Sequence, residues 1–136
     1  MQRLILDANI LINYCSIKEE TNNKVKEIFA KLDNKEIIIF LPDLAFYEFI
    51  YNLKKQNQSD ELIEFLESFI NNPNTFSYKM DNSEFLEITN IALKFNLSTY
   101  DATYLFLSIA TWYKIITMDK RFYNAIKEYE TNIELI

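Results

Sequence analysis

Histidine and glycine are both absent from this chain of 136 residues. The lack of histidine excludes Ser-His-Asp and Cys-His nucleophilic catalysis, and it excludes imidazole as a metal ligand. The lack of glycine excludes the Walker A loop and the GxGxxG turn, because both need glycine backbone at fixed positions. Any chemistry must therefore depend on carboxylates, hydroxyls, lysines, arginines or a bound metal.

The missing glycines also restrict the backbone. Positions with positive φ must be filled by asparagine or aspartate, which are the next most tolerant residues. Five asparagines at the ends of predicted elements are candidates for such positions: Asn34, Asn57, Asn71, Asn72 and Asn96. An A/T-rich coding bias would also favour asparagine, and the sequence alone leaves both explanations open.

Cysteine and long hydrophobic runs are scarce as well. The single cysteine, Cys15, excludes an internal disulfide and fits a reducing cytosol. No apolar run approaches the roughly 20 residues that span a bilayer, and the start of the chain does not resemble a signal peptide. With a hydrophobic content of 49%, these features predict one soluble, cytoplasmic domain over residues 1–136 without membrane association.

Basic residues are fewer than acidic ones: the chain has 14 lysines and arginines and 20 acidic residues, which gives a formal net charge of -6. Broad, nonspecific binding of nucleic acid normally comes from a basic surface, so this balance argues against it. A nuclease stays compatible with the charge, because bound divalent cations offset part of a clustered acidic site. An acidic site would equally attract a basic segment of a partner.

The chain alternates short β-branched runs with segments of helical periodicity, which is typical of a βαβ-type α/β domain with a small parallel sheet. The predicted strands are Arg3–Leu6, Ile37–Leu41, Thr75–Lys79, Lys114–Met118 and Ile133–Ile136. The predicted helices are Asn9–Cys15, about Glu20–Leu32, Asp43 to about Lys55, Asp60–Ile70, one following Asp81 to Phe95, one following Ser98 to about Tyr113, and Lys120–Tyr129. Asp43 is the expected N-cap of the third helix, and Asp81 with Glu84 matches a capping box at the start of the fifth.

Four carboxylates stand where a predicted strand ends or a helix begins: Asp7, Glu48, Asp101 and Asp119. Each lies in or beside an apolar run, where an unpaired charge is costly. In an open parallel sheet, ligands bind beyond the carboxyl ends of the strands, at the switch point in strand order. If the strands that end at Asp7 and Asp119 are neighbours, the acids form an oxygen-ligand pocket suited to Mg²⁺ or Mn²⁺.

Structural explanations for these acids remain open at this point. Asp119 precedes a helix and is also a candidate N-cap, and Asp101 with Ser98 also matches a capping box. Asn9 is the expected cap of the first helix, which would leave Asp7 without such a role. The acids therefore point to a site as a set, and each is weak evidence by itself.

Aromatic residues are abundant on two consecutive predicted helices between residues 43 and 70. Five of them are interpreted as core or interface rather than as stacking platforms for bases: Phe46, Phe49, Tyr51, Phe65 and Phe69. The excess of apolar residues on these helices favours a partner groove or a dimer face.

The order and spacing of the acidic motifs resemble those of PIN-domain ribonucleases, and the chain is similar in size and motif order to VapC-type toxins of type II toxin–antitoxin systems. The resemblance rests on Leu6-Asp7-Ala8-Asn9-Ile10-Leu11, on Glu48 in the helix after the second strand, on Leu97 to Tyr104, and on Ile116 to Phe122. It implies a three-layer α/β/α fold with about five parallel strands in the order 3-2-1-4-5. The chain departs from the family pattern in its missing glycines, notably at Asn96.

The resemblance also implies a site and an activity. Its metal-binding and catalytic set, holding one or two Mg²⁺ or Mn²⁺ ions, would be Asp7, Glu48, Asp101 and Asp119, with Asn9 and Thr117 as supporting residues. Lys120 and Arg121 would steer the substrate phosphate, or they are solvated charges early in a helix.

The implied activity is metal-dependent cleavage of RNA by a toxin endoribonuclease. The implied partners are the RNA substrate, a VapB-like antitoxin and a second copy in a homodimer. Two alternatives stay open: a PIN-domain nuclease of RNA processing that is not a toxin, and a catalytically silent PIN-like binding or scaffold module.

Overall fold

The computed structural model describes residues 1–16, 18–56, 59–129 and 132–136. The strands of these described residues are β1 (Gln2–Leu6), β2 (Ile37–Pro42), β3 (Thr75–Tyr78), β4 (Lys114–Thr117) and β5 (Ile133–Leu135). Their helices are α1 (Ala8–Cys15), α2 (Asn23–Asp33), α3 (Asp43–Lys54), α4 (Ser59–Ile70), α5 (Asn82–Phe95), α6 (Thr99–Thr111) and α7 (Lys120–Ile126). The predicted order and type of the elements are confirmed, and the differences are confined to their ends.

All five strands are parallel and form one sheet in the order β3-β2-β1-β4-β5, which confirms the predicted order. The central strand β1 pairs with β2 on one side and with β4 on the other. Three consecutive residues of β1, Leu4, Ile5 and Leu6, are all buried. Since alternate side chains of a strand point to opposite faces, helices must cover both faces of the sheet. This three-layer arrangement explains the continuous apolar run of β1.

Helix α6 lies directly on the sheet. It packs against β1, β2 and β4 while α5 packs against α6, and its residues from Ala102 to Ser108 are all buried. A helix that immediately precedes a parallel strand runs antiparallel to it, so α6 begins near the carboxyl end of β4. The first turn of α6, which carries Asp101, therefore lies at the edge where β1 and β4 end.

The predicted starts of α2 and α3 are wrong. Asp43 was expected to cap α3, but it is the first helical residue, and Pro42 is the N-cap, with no side-chain hydrogen bond. Proline has a φ suited to this entry and no N–H to satisfy. The helix expected from Glu20 begins later, because Asn22 caps α2 by accepting a hydrogen bond from the backbone N–H of Lys24 at 2.8 Å.

Positive φ occurs, among the described residues, at Lys35 (59°), Asn96 (52°) and Trp112 (64°). The prediction for Asn96 is confirmed, and this residue ends α5 in the left-handed conformation. The predictions for three others are wrong: Asn34, Asn71 and Asn72. After α2 the left-handed residue comes one position later than expected, at Lys35, whose N–H bonds the carbonyl of Leu32. The predicted Asn57 lies outside the described residues.

The aromatic residues of α3 and α4 belong mainly to the core. Phe49 and Phe69 are buried, Phe46 and Phe65 pack against the core, and Tyr51 is 61% exposed. Their packing reaches the first two helices, where the rings of Tyr14 and Phe29 stack at 3.9 Å between centroids. The interpretation as core or interface rather than a base-stacking platform is thus consistent with their burial.

Cys15 behaves as a small apolar residue. Burial raises the pKa of its thiol to about 12, so the thiolate needed for nucleophilic or redox chemistry is scarce at neutral pH. None of the helices formed by the described residues has the length and apolar content needed to span a bilayer.

Candidate active site

The candidate site lies where the strand order reverses, between β1 and β4. Asp7 directly follows β1, and Asp119 comes two residues after the end of β4. The backbone N–H of Asp7 donates to the carbonyl of Ile116 at 3.0 Å, so the two strands stay paired up to this point. Such a reversal leaves a crevice beyond the carboxyl ends of the two strands.

Thr117, the last residue of β4, links the two carboxylate-bearing segments. Its buried hydroxyl donates to Asp7 Oδ2 at 2.8 Å and accepts from the backbone N–H of Asp119 at 3.0 Å. Both partners therefore have fixed positions relative to the end of β4. This bridge corresponds to the supporting role expected for Thr117 from the resemblance.

Asn9 joins the same two segments in a different way from the one expected. The sequence predicted that Asn9 caps α1, but Asp7 is the N-cap and accepts from the N–H of Asn9 at 3.4 Å. Helix α1 starts immediately after Asp7, so Asn9 already lies inside its first turn. Its side-chain oxygen is free to accept from the backbone N–H of Met118 at 3.3 Å. Asn9 thereby ties the start of α1 to the end of β4.

Asp119 and Asp101 both take part in helix starts, as their structural explanations required. Asp119 Oδ1 accepts from the backbone N–H groups of Arg121 at 2.9 Å and Phe122 at 3.3 Å, which caps α7. Ser98 caps α6 by accepting from the backbone N–H of Asp101 at 3.1 Å. These bonds use one oxygen of Asp119 and the backbone of Asp101, so carboxylate oxygens of both remain available to a ligand.

Glu48 projects from α3, the helix that follows β2, and is half-buried. Its Oε2 atom is buried and has no hydrogen-bond partner in the part of the chain that the structure describes. A buried carboxylate oxygen without a partner carries a desolvation cost of about 1–3 kcal/mol or more. Glu48 therefore requires a partner from outside the protein, such as a water molecule or a cation.

The four carboxylates are close enough to repel one another. Burial, together with the charges of Glu48 and Asp119, raises the pKa of Asp7 to about 6, although the Thr117 hydroxyl and the N–H of Asn9 act in the opposite direction. Burial and the charges of Asp7 and Asp119 raise the pKa of Asp101 to about 6. Burial and the charge of Asp101 raise the pKa of Glu48.

None of these four carboxylates takes part in an ion pair with another residue that the structure describes. Over residues 1–16, 18–56, 59–129 and 132–136, one ion pair forms, between Lys114 and Glu134 at 3.3 Å. Asp7, Glu48, Asp101 and Asp119 thus constitute an acidic cluster whose charges are not offset by an ion pair within the described residues.

Tyr104 is a member of the site that the sequence reasoning missed. It is fully buried, and its hydroxyl oxygen accepts from the backbone N–H of Ala8 at 3.0 Å. Burial and then the charges of Asp7 and Glu48 raise the pKa of Tyr104 well above its usual value. Two signals could have found it: a tyrosine inside an apolar run needs a polar partner, and a position three residues after Asp101 lies on the same side of a helix.

A cavity of about 360 Å³ adjoins the acidic cluster, between the end of α5, the start of α6 and α7. Arg121 lines it together with Asp101 and Asp119. Lys120, the exposed first residue of α7, is not among the lining residues. Of the two basic residues predicted to steer phosphate, only Arg121 therefore lines the space beside the acids.

A family model for the PIN domain matches residues 4–128 of the sequence. The chain belongs to the PIN domain family. Comparison of this PIN domain with functionally curated protein sequences gives no match.

Solved structures with this PIN fold include a chain of a toxin-antitoxin complex from Klebsiella pneumoniae, with 14% identity, a TM-score of 0.68, and coverage of 96% of this chain and 95% of that one. PAE2754 from Pyrobaculum aerophilum is 15% identical with a TM-score of 0.63, covering 91% of this chain and 84% of the other. FitAcB from Neisseria gonorrhoeae is 11% identical with a TM-score of 0.60, and the coverage is 90% and 91%. At such identities the likeness concerns the fold.

The donor set of this PIN domain fits a hard divalent cation. Among the described residues, no three or more carboxylate, thiol or imidazole groups are arranged so that they could hold a metal ion directly. Mg²⁺, however, dehydrates reluctantly and is usually bound through one or two carboxylates, several waters and substrate phosphates. The unpartnered Glu48 oxygen and the mutual repulsion of the acids supply the oxygen donors and the negative charge that such an ion needs.

Proposed function

We propose that this PIN domain is a Mg²⁺- or Mn²⁺-dependent endoribonuclease and the toxin of a toxin–antitoxin pair. The observation that carries the proposal is the acidic cluster at the β1/β4 switch point, with its buried, unpartnered Glu48 oxygen and no ion pair to any of its acids among the described residues. PIN domains are generally nucleases, and a set of oxygen donors with uncompensated charge is what divalent-metal phosphodiester cleavage requires.

In the proposed mechanism, Asp7, Glu48, Asp101 and Asp119 hold one or two ions, with at most two carboxylates binding each ion directly and the others acting through bound water. When bound, a divalent ion would lower the pKa of water and stabilise negative charge on the phosphate. The Thr117 hydroxyl fixes the rotamer of Asp7 through its 2.8 Å bond, so the carboxylate does not reorganise during binding. Glu48 either binds an ion or orients the attacking water through Oε2, the oxygen without a partner among the described residues.

The toxin role is supported by the resemblance to VapC-type proteins and by the fold shared with a chain of the toxin-antitoxin complex from Klebsiella pneumoniae. In this proposal a VapB-like antitoxin blocks the acidic cluster, and the protein acts as a homodimer. Exposed apolar residues of α3 and α4 offer surface for these partners: Tyr47, Ile50, Tyr51 and Ile63.

Cleavage of RNA by the purified chain tests the proposal. The substrates are tRNA, rRNA fragments and unstructured oligomers, with Mg²⁺, Mn²⁺ or EDTA. Asp101→Asn keeps the shape of the side chain and removes its charge, and we expect it to lower the cleavage rate by more than about a hundredfold. Glu87→Gln, an exposed acid on α5, is the matched control and should cleave like the wild type.

Cleavage that persists in EDTA, or that Asp101→Asn retains in full, would contradict the metal-dependent mechanism. RNA binding without cleavage, after removal of any copurified partner, would favour the silent binding module instead. Cleavage without growth arrest on induced expression would favour an RNA-processing nuclease over a toxin.

A further inference from the structure

The cavity beside the acidic cluster has the composition of a nucleotide-binding pocket. Its apolar wall is formed by Phe95, Leu97, Phe122 and Ala125, and Asn96 and Ser98 add polar groups. Its volume of about 360 Å³ lies in the range of small-molecule sites, roughly 300–1,000 Å³. The remaining lining residues, Asp101, Asp119 and Arg121, connect it to the acidic cluster.

Arg121 gives the cavity a recognition element for phosphate. Its guanidinium forms no ion pair within the described ranges of the chain, although two carboxylates line the same cavity. An arginine that is not engaged by a carboxylate retains its planar set of donors, which matches phosphate oxygens. The cavity therefore combines an arginine suited to phosphate with an apolar wall.

Phe95 contributes an aromatic ring to the apolar wall, and Lys94 Nζ lies over this ring at 5.1 Å from its centroid. The ring is partly buried, and Tyr129 holds it in a T-shaped contact at 5.2 Å between centroids. Bases of single-stranded RNA stack on such aromatic side chains and on arginine planes, and their edges are read by amide and hydroxyl groups. Asn96 and Ser98 line the same cavity with an amide and a hydroxyl group.

We propose that this cavity binds one nucleotide of the RNA strand, adjacent to the phosphodiester bond that is cut, and so sets a sequence preference. The base packs against Phe95 and Leu97, and Arg121 binds the nucleotide's phosphate. The inference rests on the proposed function, because it assumes that the acidic cluster cuts RNA. RNA is favoured over a protein partner because one small cavity combines an aromatic ring and an arginine free of ion pairs, and adjoins the acids.

The test compares three cavity variants, two of which have matched controls. Phe95→Leu keeps an apolar side chain but removes the ring, and Phe85→Leu makes the same change at an exposed position of the same helix. Arg121→Gln removes one positive charge, and Lys127→Gln does so at the far end of α7. Cleavage is measured on oligonucleotides that differ by one base on either side of the cleaved bond. Affinity is measured with fluorescently labelled RNA in an Asp7→Asn background.

We expect Phe95→Leu to raise KM and weaken RNA binding about tenfold for the preferred base, and to reduce discrimination at a single position. Arg121→Gln should weaken binding to all sequences alike, because a phosphate contact carries no base information. Both control variants should match their parent. Asn96→Gly, which keeps the left-handed turn but lacks the amide, should alter the base preference without loss of folding.

The inference is overturned if all three cavity variants have the same base preference and RNA affinity as the controls. That result would leave the proposed nuclease activity unaffected. If the wild type cleaves no RNA, the proposed function fails separately, and the binding measurement still decides: base-dependent loss in Phe95→Leu supports the cavity, and no loss overturns it. Unchanged RNA binding with lost inhibition by the antitoxin would assign the cavity to a protein and also overturn the inference.

Discussion

One hydroxyl group, that of Thr117, fixes two segments that carry the acidic cluster. It is both a donor to Asp7 at 2.8 Å and an acceptor from the N–H of Asp119 at 3.0 Å. A residue without this hydroxyl leaves a buried carboxylate and a backbone N–H unsatisfied at once, which costs more than a single surface bond.

Thr117→Val should therefore lower the free energy of unfolding by about 1–3 kcal/mol, measured by urea denaturation. Loss of the hydroxyl should also raise the pKa of Asp7 further, since the bond from Thr117 lowers it. The matched control is Thr103→Val, because that buried hydroxyl donates to the Thr99 carbonyl of its own helix, and it should cost less than about 1 kcal/mol. Equal losses in the two variants would contradict the bridging role.

Asp7 should destabilise the metal-free protein at neutral pH. Its folded-state pKa of about 6 exceeds the ordinary value of 3.8, so the folded state binds more protons than the unfolded chain between these values. Its contribution to stability then falls as pH rises from about 4 to about 6, by up to about 3 kcal/mol. In EDTA, Asp7→Asn should be more stable than the wild type at pH 7 and similar near pH 4.

Thermal denaturation across this pH range checks the expectation, with Glu87→Gln as the control that leaves the profile unchanged. The expectation is contradicted if the wild type loses stability on acidification relative to Asp7→Asn. Asp7 would then not be held in a buried position beside other negative charges.

At the scale of single residues, the sequence indicates which residues belong to the candidate site better than it indicates which atoms they contact. Asp7, Glu48 and the other acids stand out because charges beside apolar runs are unusual. The roles of Asn9 and Tyr104 depend on contacts across 109 and 96 positions of sequence, and no local pattern encodes such distances. Asp7 was also misjudged as having no cap role, because an asparagine two residues later offered an equally plausible cap.

At the level of elements, the absence of glycine places residues with a Cβ in left-handed backbone at the ends of helices. Trp112 and Lys35 occupy left-handed backbone that a side chain with a Cβ disfavours by roughly 1–2 kcal/mol. Asn96 at the end of α5 tolerates it better, because asparagine visits this region routinely.

Trp112→Gly and Lys35→Gly should raise the free energy of unfolding by about 0.5–1 kcal/mol, since glycine has no Cβ to clash but adds entropy to the unfolded chain. Trp112 is 86% exposed, so little packing is lost. Asn96→Gly should be close to neutral. Glu87→Gly, at an exposed position inside α5, is the contrasting change and should lower stability by about 1 kcal/mol or less. Urea denaturation measures the stability of all four variants. If Trp112→Gly and Lys35→Gly are both less stable than the wild type, backbone strain at these two positions is refuted.

Element types could be predicted well because burial imposes a period on the sequence. The buried strands read as continuous apolar runs, and the helices place apolar residues three and four positions apart. Helix caps could be predicted at some helices and not at others. The capping box of Asp81 and Glu84 is present as predicted, because its two members are close together in the sequence. The starts of α2 and α3 were missed where Asn22 and Pro42, rather than an acid, precede the helix.

At the level of the whole molecule, cation binding should be coupled to folding. A divalent ion that binds only the folded acidic cluster stabilises it by about 2.7 kcal/mol at one hundred times its Kd. We expect Mg²⁺ or Mn²⁺ to raise the Tm of the wild type, and more so at pH 7.5 than at pH 5.5, because protons compete for the carboxylates.

Calorimetric scans with and without the ion measure this effect. Asp101→Asn should lose most of the shift, whereas Glu87→Gln should keep it. An identical shift in both variants would mean that the ion binds elsewhere or acts non-specifically.

Strand order has a consequence for synthesis of the protein. The centre of the sheet is made first, as β1, but its neighbour β4 and the residues Thr117 and Asp119 come from the last fifth of the chain. A translation product that stops before β4 therefore lacks half of the switch point and cannot assemble the acidic cluster. The acidic cluster is thus completed only after β4 and Asp119 have been synthesised.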